Sequence, residues 1–169
     1  MVLSWIEDVT SEYFRKTGHL IFNNISYFAV SPKKKVPSWQ EFDVLVIKEK
    51  KAKIISCKRG LTPDDYDKQA EFLNYHRKNL LNNEDLSKYR CLFSGSPELI
   101  LVIEYPRPKH VQRIEAKEIK VLPFDKLLKD FIKVLYEELK KNNWKEGKEP
   151  NYSTRLIKGL LKKGIIKIN

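Results

Sequence analysis

Residues 98–105 read ELILVIEY, a run with no polar–apolar alternation across its centre. A strand that is apolar on both sides has to be covered on both sides, so it belongs inside a sheet with helices packed on it. That requirement selects an α/β domain, and the remaining segments supply its parts. The chain has 169 residues, 41% of them hydrophobic, 33% charged and only six glycine, enough for one core over one sheet and unlike a disordered chain.

Ser4 followed by Glu7 is a capping box and predicts a helix starting there; Trp5, Val9, Tyr13 and Lys16 recur along one face, and Gly18 ends it. Glu12 lies about 60° from Val9, at the edge of the apolar face, whereas Glu7 falls nearly opposite. His19 to Val30 is strand-like, and SPKKKVPSWQ (31–40) is expected to be a basic loop. Phe42 to Ile47 and Lys53 to Lys58 read as two strands joined by a charged turn over Glu49 to Ala52. A second helix is expected with Thr62 as N-cap, Pro63 at its first position and Asp65 in a capping box, running to about Leu81. A polar loop leads to the apolar strand, Ile119 to Leu122 is one more short strand, and Asp125 to Lys141 is an amphipathic helix. The order of elements predicts an α/β fold with a mixed sheet flanked by helices, one domain over 1–169 with a core of about 4–141. The basic C-terminal extension of about 142–169 has two readings, a phosphate-binding surface or a solvated helix followed by an edge strand near Ile165.

The formal net charge is +11, which favours a polyanion partner, nucleic acid first among them. Two cysteines, Cys57 and Cys91, are too few for a disulfide scaffold and lack zinc spacing. The N-terminal segment carries acidic residues and no apolar run approaches the ~20 residues needed to span a bilayer, so a cytoplasmic protein without membrane attachment is expected.

The chemistry concentrates on Asp43 and Lys58. They sit on consecutive strands joined by a tight turn, so both side chains reach one end of the sheet. Such an acid can hold Mg²⁺ or Mn²⁺ against a phosphodiester, while the ammonium orients a water and offsets developing charge. Glu12, on the helix over that end, is a candidate further ligand.

Glu12 on a first helix, Gly18 after it, and Asp43-x12-Ser56-Cys57-Lys58 resemble the PD-(D/E)xK nuclease superfamily, with its restriction-endonuclease-like fold. The layout is similar to archaeal Holliday junction resolvases, and IISCKRG resembles the corresponding strand of CRISPR-associated effector nucleases. The resemblance spans roughly residues 4 to 105. It implies a metal-dependent nuclease of DNA or RNA, with Asp43 and Glu12 on the metal, the Cys57 backbone carbonyl as a further ligand, Lys58 catalytic and a homodimer possible. The pattern departs at Ser56, where the family carries Asp or Glu; a hydroxyl brings no charge to a metal. Either another acid substitutes, or the domain only binds.

Family spacing favours Glu71 as the substitute. Helix geometry favours Gln69 instead, because Gln69, Phe72, Leu73, His76 and Leu80 form one stripe facing the sheet, with Asp65 one turn earlier and Glu71 on the far side. Asp65 is read first as a helix cap and only second as a metal ligand. His19, His76 and His110 lack ligand spacing, Cys57 alternates away from Ser56 and Lys58 into the core, and Trp39 is either a base-stacking residue or a loop anchor. A third reading makes Asp43 and Lys58 a structural ion pair in a protein-interaction domain.

Overall fold

The computed structural model describes residues 4–32, 35–141 and 151–168. The apolar run forms β4 (Glu98–Ile103), and from Leu99 to Ile103 it is buried. It lies between β3 (Lys51–Lys58) and β5 (Ile119–Pro123), parallel to both, in a five-stranded sheet of order β1-β2-β3-β4-β5. β1 (Leu20–Val30) and β2 (Pro37–Lys48) complete it as an antiparallel hairpin, and β2 runs antiparallel to β3. The expected mixed sheet flanked by helices is the fold observed.

Parallel neighbours cannot be joined by a tight turn. α2 (Asp65–Asn82) therefore carries the chain from β3 towards β4, and α4 (Pro108–Glu115) from β4 to β5. The sequence reading had no helix at α4, whose buried side is built on little more than Val111 and Ile114. The expected polar loop after α2 likewise holds a 3-10 turn (Glu84–Leu86) and a one-turn helix, α3 (Ser87–Arg90). α2 starts at Asp65, later than expected: Asp64 is the N-cap without a side-chain bond, and Thr62 instead donates its hydroxyl to Asp65 at 2.5 Å.

Each sheet face has its own core. Tyr66, Ala70, Leu73, Leu80 and Ile114 cover one, against Leu45, Ile54, Leu99 and Leu101. α1 (Trp5–Lys16), α5 (Phe124–Lys141) and α6 (Tyr152–Lys162) cover the other, where Val9, Phe131, Leu135 and Ile157 meet Val44, Ile55, Ile100 and Val102. α1 begins with the expected capping box, but its buried side is Ile6, Val9, Thr10, Ser11, Glu12 and Phe14, leaving Trp5 exposed. Gly18 takes φ +83 after it. α6 is a structural part of this layer: Asn151 and Ser153 bond Asp8, and buried Lys158 pairs with Glu138 at 2.8 Å. Among the described residues no strand forms near Ile165, where an edge strand was expected; residues 142–150 of the basic extension lie outside the described residues.

Two further boundaries differ. The β2–β3 turn is only Glu49–Lys50, both with positive φ as a two-residue hairpin turn needs, and Lys51 and Ala52 already belong to β3. Trp39 sits inside β2, not in a loop, paired across to Phe28 with ring centroids 5.7 Å apart; Lys33 and Lys34 of the expected basic loop lie outside the described residues.

The hairpin has one irregularity that matters. Asn24 and Asp43 fall between paired positions Asn23↔Val44 and Ile25↔Phe42 but are themselves outside the ladder, and Asn24 has φ +51. Both strands change face there. Ile25 and Phe42 pack towards α2, whereas Val44 packs towards α1 and Asn23 accepts from Ser11 of α1 at 2.8 Å.

Candidate functional site

The β2–β3 ladder ends at Val44↔Ile55, one step short of Asp43. With the alternation broken at that residue, the Asp43 carboxylate turns towards β3 and replaces the missing backbone partner. Its Oδ2 accepts from the Cys57 backbone N–H at 2.8 Å, the Ser56 hydroxyl at 3.0 Å and the Lys58 ammonium at 3.4 Å. All three bonds fall on Oδ2, and Oδ1 carries none among the described residues. Backbone N–H and C=O of one strand residue point to the same edge. The Cys57 carbonyl therefore faces the Asp43 side, while that of Lys58 faces β4, where it accepts from Glu104 N–H at 3.1 Å.

α2 closes the site from one face. Gln69, 8% exposed, donates its amide to the Ser56 hydroxyl at 2.9 Å, and that hydroxyl in turn donates a hydrogen bond to Asp43. Asp43, Ser56, Lys58 and Gln69 are thus brought together in one continuous chain of hydrogen bonds. Glu12 is not part of it: buried at 3% exposure, it pairs with Arg15 and makes no bond to Asp43 or Lys58. The Cys57 side chain points into the opposite core, and burial, reinforced by the Asp43 charge, pushes its thiol well above the ordinary range.

Two turns along α2 from Gln69, buried His76 shares a hydrogen bond between its Nδ1 and the Tyr27 hydroxyl at 2.7 Å, while its Nε2 has no partner among the described residues. Burial pushes His76 down to about 4, so its ring is neutral beside the charged pair. Neither His19 nor His110 touches Asp43 or Lys58; they lie against Phe14 and Tyr66.

A cleft of about 320 Å³ opens beside Lys58, lined by Leu61, Asp65, Lys68, Gln69 and Phe72. Of the two acids considered as substitutes for the missing one, Asp65 lines this cleft with Lys58 and Gln69, held by Thr62 and Lys68, whose bonds keep its carboxyl below the usual range. Glu71 lies exposed on the adjoining cleft, with Pro32, Lys68 and Phe72. Sequence reasoning missed Lys68 as a wall of the site; its place beside Gln69, three residues after Asp65, was the available signal.

The donors suit a hard divalent ion bound by one carboxylate. Asp43 Oδ1 and the Cys57 carbonyl are oxygen donors directed to the same edge of β3 that could hold such an ion, and Mg²⁺ commonly takes one or two carboxylates with waters and phosphate oxygens. No group of three His, Cys, Asp or Glu among the described residues could form an all-protein cage.

No protein-family model matches the chain, and no curated protein matches it. Among solved structures, it is similar to AF1548, a protein of unknown function, at 14% identity and TM-score 0.49, covering 94% of this chain and 96% of that one. It is similar also to the small subunit, R.BspD6I2, of the heterodimeric restriction endonuclease R.BspD6I, at 16% identity and TM-score 0.49, covering 95% and 80%. A third likeness, to protein VC1899 from Vibrio cholerae, has 20% identity and TM-score 0.48 and covers 80% of this chain but 32% of that one. At such identities and scores, the chemistry is carried by this chain's own residues.

Proposed function

We propose that this chain is a metal-dependent phosphodiesterase acting on nucleic acid, centred on Asp43 and Lys58. One observation carries the reading: at the break in the hairpin, Asp43 lies against β3 with Oδ1 unbonded among the described residues, the Cys57 carbonyl directed to the same strand edge and the Lys58 ammonium 3.4 Å from Oδ2. Asp43 and that carbonyl would hold Mg²⁺ or Mn²⁺, which when bound polarises a phosphoryl oxygen and lowers the pKa of a water. Lys58 orients the attacking water and offsets charge developing on the phosphate. Ser56 and Gln69 are positioning residues that fix the carboxylate. With one carboxylate and a neutral serine, the site would hold such a metal weakly unless the substrate's phosphate supplied further oxygen ligands. Glu12 acts at most through water, and Asp65 places a second negative charge in the cleft. The net charge of +11 supports a polyanionic substrate. No described helix is long and apolar enough to cross a membrane.

A second reading, a nuclease-fold module that binds without cleaving, is favoured by one specific feature: Ser56 donates a hydrogen bond to Asp43 where a second acid would ligate a metal. A cleavage assay separates the two. Single-stranded, duplex and branched substrates are incubated with Mg²⁺ or Mn²⁺ and wild type, Asp43→Ala or Lys58→Ala. Metal-dependent products with wild type, lost in both variants, are expected. Intact substrates with both metals would sink hydrolysis. Binding that weakens steeply with salt would then leave the second reading, and no binding at all would leave a structural ion pair.

A further inference from the structure

The cleft beside Lys58 does not end at α2. It adjoins a second one, of about 420 Å³, lined by Pro32, Lys68, Glu71 and Phe72, and the two share Lys68 and Phe72. The result is a groove from Lys58 of the candidate centre, across the first turns of α2, to Pro32 just past the end of β1. Its ends differ in chemistry. The Lys58 end carries two ammonium groups, Lys58 and the well-exposed Lys68, against Asp65, whose charge is already met by Thr62 and Lys68. The Pro32 end has the Glu71 carboxylate, while Lys68 is paired with Asp65 at 3.2 Å, and among the described residues the rest of its lining is the Phe72 ring and the proline. Phe72 is held in place rather than free to swing, because it packs edge-to-face on buried His76 with centroids 4.0 Å apart.

We infer that this groove binds an unpaired nucleotide of the substrate, its phosphate between Lys58 and Lys68 and its base on Phe72 and Pro32 with an edge towards Glu71. The inference rests on the nuclease-type reading and narrows its substrate to nucleic acid with a single-stranded segment. A phosphate is repelled by Glu71 and drawn to the lysine pair, which fixes the polarity of the bound unit. A fixed ring offers stacking only to a base that has left its own stack, and a duplex keeps its base faces to itself. Each half of the groove lies in the size range of a small-ligand pocket. Glu71, an acceptor, favours bases that present amino groups, such as cytosine and adenine, over thymine or uracil, whose single N3–H donor is flanked by two carbonyl oxygens that repel a carboxylate.

The test is binding without turnover. Fluorescence anisotropy in EDTA uses the full chain with labelled mixed-sequence single strands, the matching duplex, and an all-thymidine strand. Wild type is expected to favour the mixed single strand over both others. Phe72→Leu, which keeps apolar packing on His76 but removes the ring, should weaken single-strand binding about ten-fold and leave duplex binding unchanged. Glu71→Gln, at an exposed position, should narrow the gap between mixed and all-thymidine strands. Duplex binding as tight as single-strand binding, or a correctly folded Phe72→Leu that binds single strands like wild type, overturns the inference. The two failures stay distinguishable: loss of metal-dependent cleavage with strand preference intact removes only hydrolysis, and cleavage without strand preference removes only the groove.

Discussion

Ser56 and Cys57 are consecutive on β3 and equally buried, at 4% and 5% exposure, yet they face different environments. Cys57 looks towards α1 and α5, into a layer of Val44, Val46, Ile55, Ile100, Val102 and Phe131. Ser56 looks towards α2, where Gln69, Asp43 and Lys58 form a relay of hydrogen bonds. Buried polar groups are costly unless bonded, and an apolar filling would close the α2 side with less risk. The contrast teaches that β3 has a structural face and a chemical face, and that the backbone between them serves both: the Cys57 thiol belongs to the core while its N–H holds Asp43.

The largest effects should come from the charged pair on the chemical face. Asp43→Ala is expected to reduce metal-dependent cleavage by at least about 10³-fold, and Lys58→Met by about 10²–10³-fold, in initial-rate assays at saturating Mg²⁺. Asp43→Ala also strands the Cys57 N–H and Ser56 hydroxyl and should cost about 1–3 kcal/mol in urea unfolding. If Asp43→Ala cleaves like wild type, the chemical face is misassigned.

His76 gives the next effect. Its ordinary value is 6.5 and burial lowers it to about 4 in the folded chain, so the folded state binds fewer protons than the unfolded one between these values. Its contribution is therefore complete above pH 6.5 and is lost as the pH falls towards 4, amounting to about 3 kcal/mol. Urea midpoints of wild type should fall across that window, and those of His76→Leu should fall less. Parallel profiles for the two proteins would show that His76 does not titrate with unfolding.

A smaller pair of effects tests the contrast itself. Ser56→Ala and Cys57→Ala should cost similar stability, about 1–2 kcal/mol each. Only Ser56→Ala should also lower cleavage, by about ten-fold, because it cuts the link between Gln69 and Asp43. Equal loss of activity in both variants would erase the distinction between the faces. Smallest of all, a thiol reagent should label Cys91, which is exposed, in the folded chain and both cysteines only in denaturant; rapid labelling of folded Cys57 would contradict its burial.

Much of this was legible beforehand because it is carried by short-range pattern. The unbroken apolar run placed β4 at the sheet's interior, and the capping box at Ser4 placed the start of α1. The stripe on α2 put Gln69 towards the sheet and Glu71 away from it. Failures came where pattern is thin or contacts are distant. α4 has too few apolar residues to announce a helix, and its necessity follows from the parallel β4–β5 pairing. The C-terminal segment reads as basic and solvated, yet Lys158 is buried because Glu138 of α5 receives its charge. Glu12 was placed at the edge of an apolar face and is indeed buried, but Arg15 one turn on meets its charge, a pairing that side-chain packing decided.

The Asp43–Lys58 centre divides in the same way. The sequence by itself determined that an acid and a lysine stand on adjacent strands of one hairpin, since the turn and the two apolar runs fix their connectivity. It also determined that a serine stands where a second acid would be. Only the tertiary structure decided where the Asp43 carboxylate goes. FDVLVI is apolar on both sides and carries no alternation from which a change of face could be read. The break opposite Asn24, where β2 parts from β3, is a property of three strands at once. It turns the Asp43 side chain onto the backbone of its neighbour, and that is what brings Asp43, the Cys57 carbonyl and Lys58 together at the end of the sheet where the hairpin had placed the acid and the lysine.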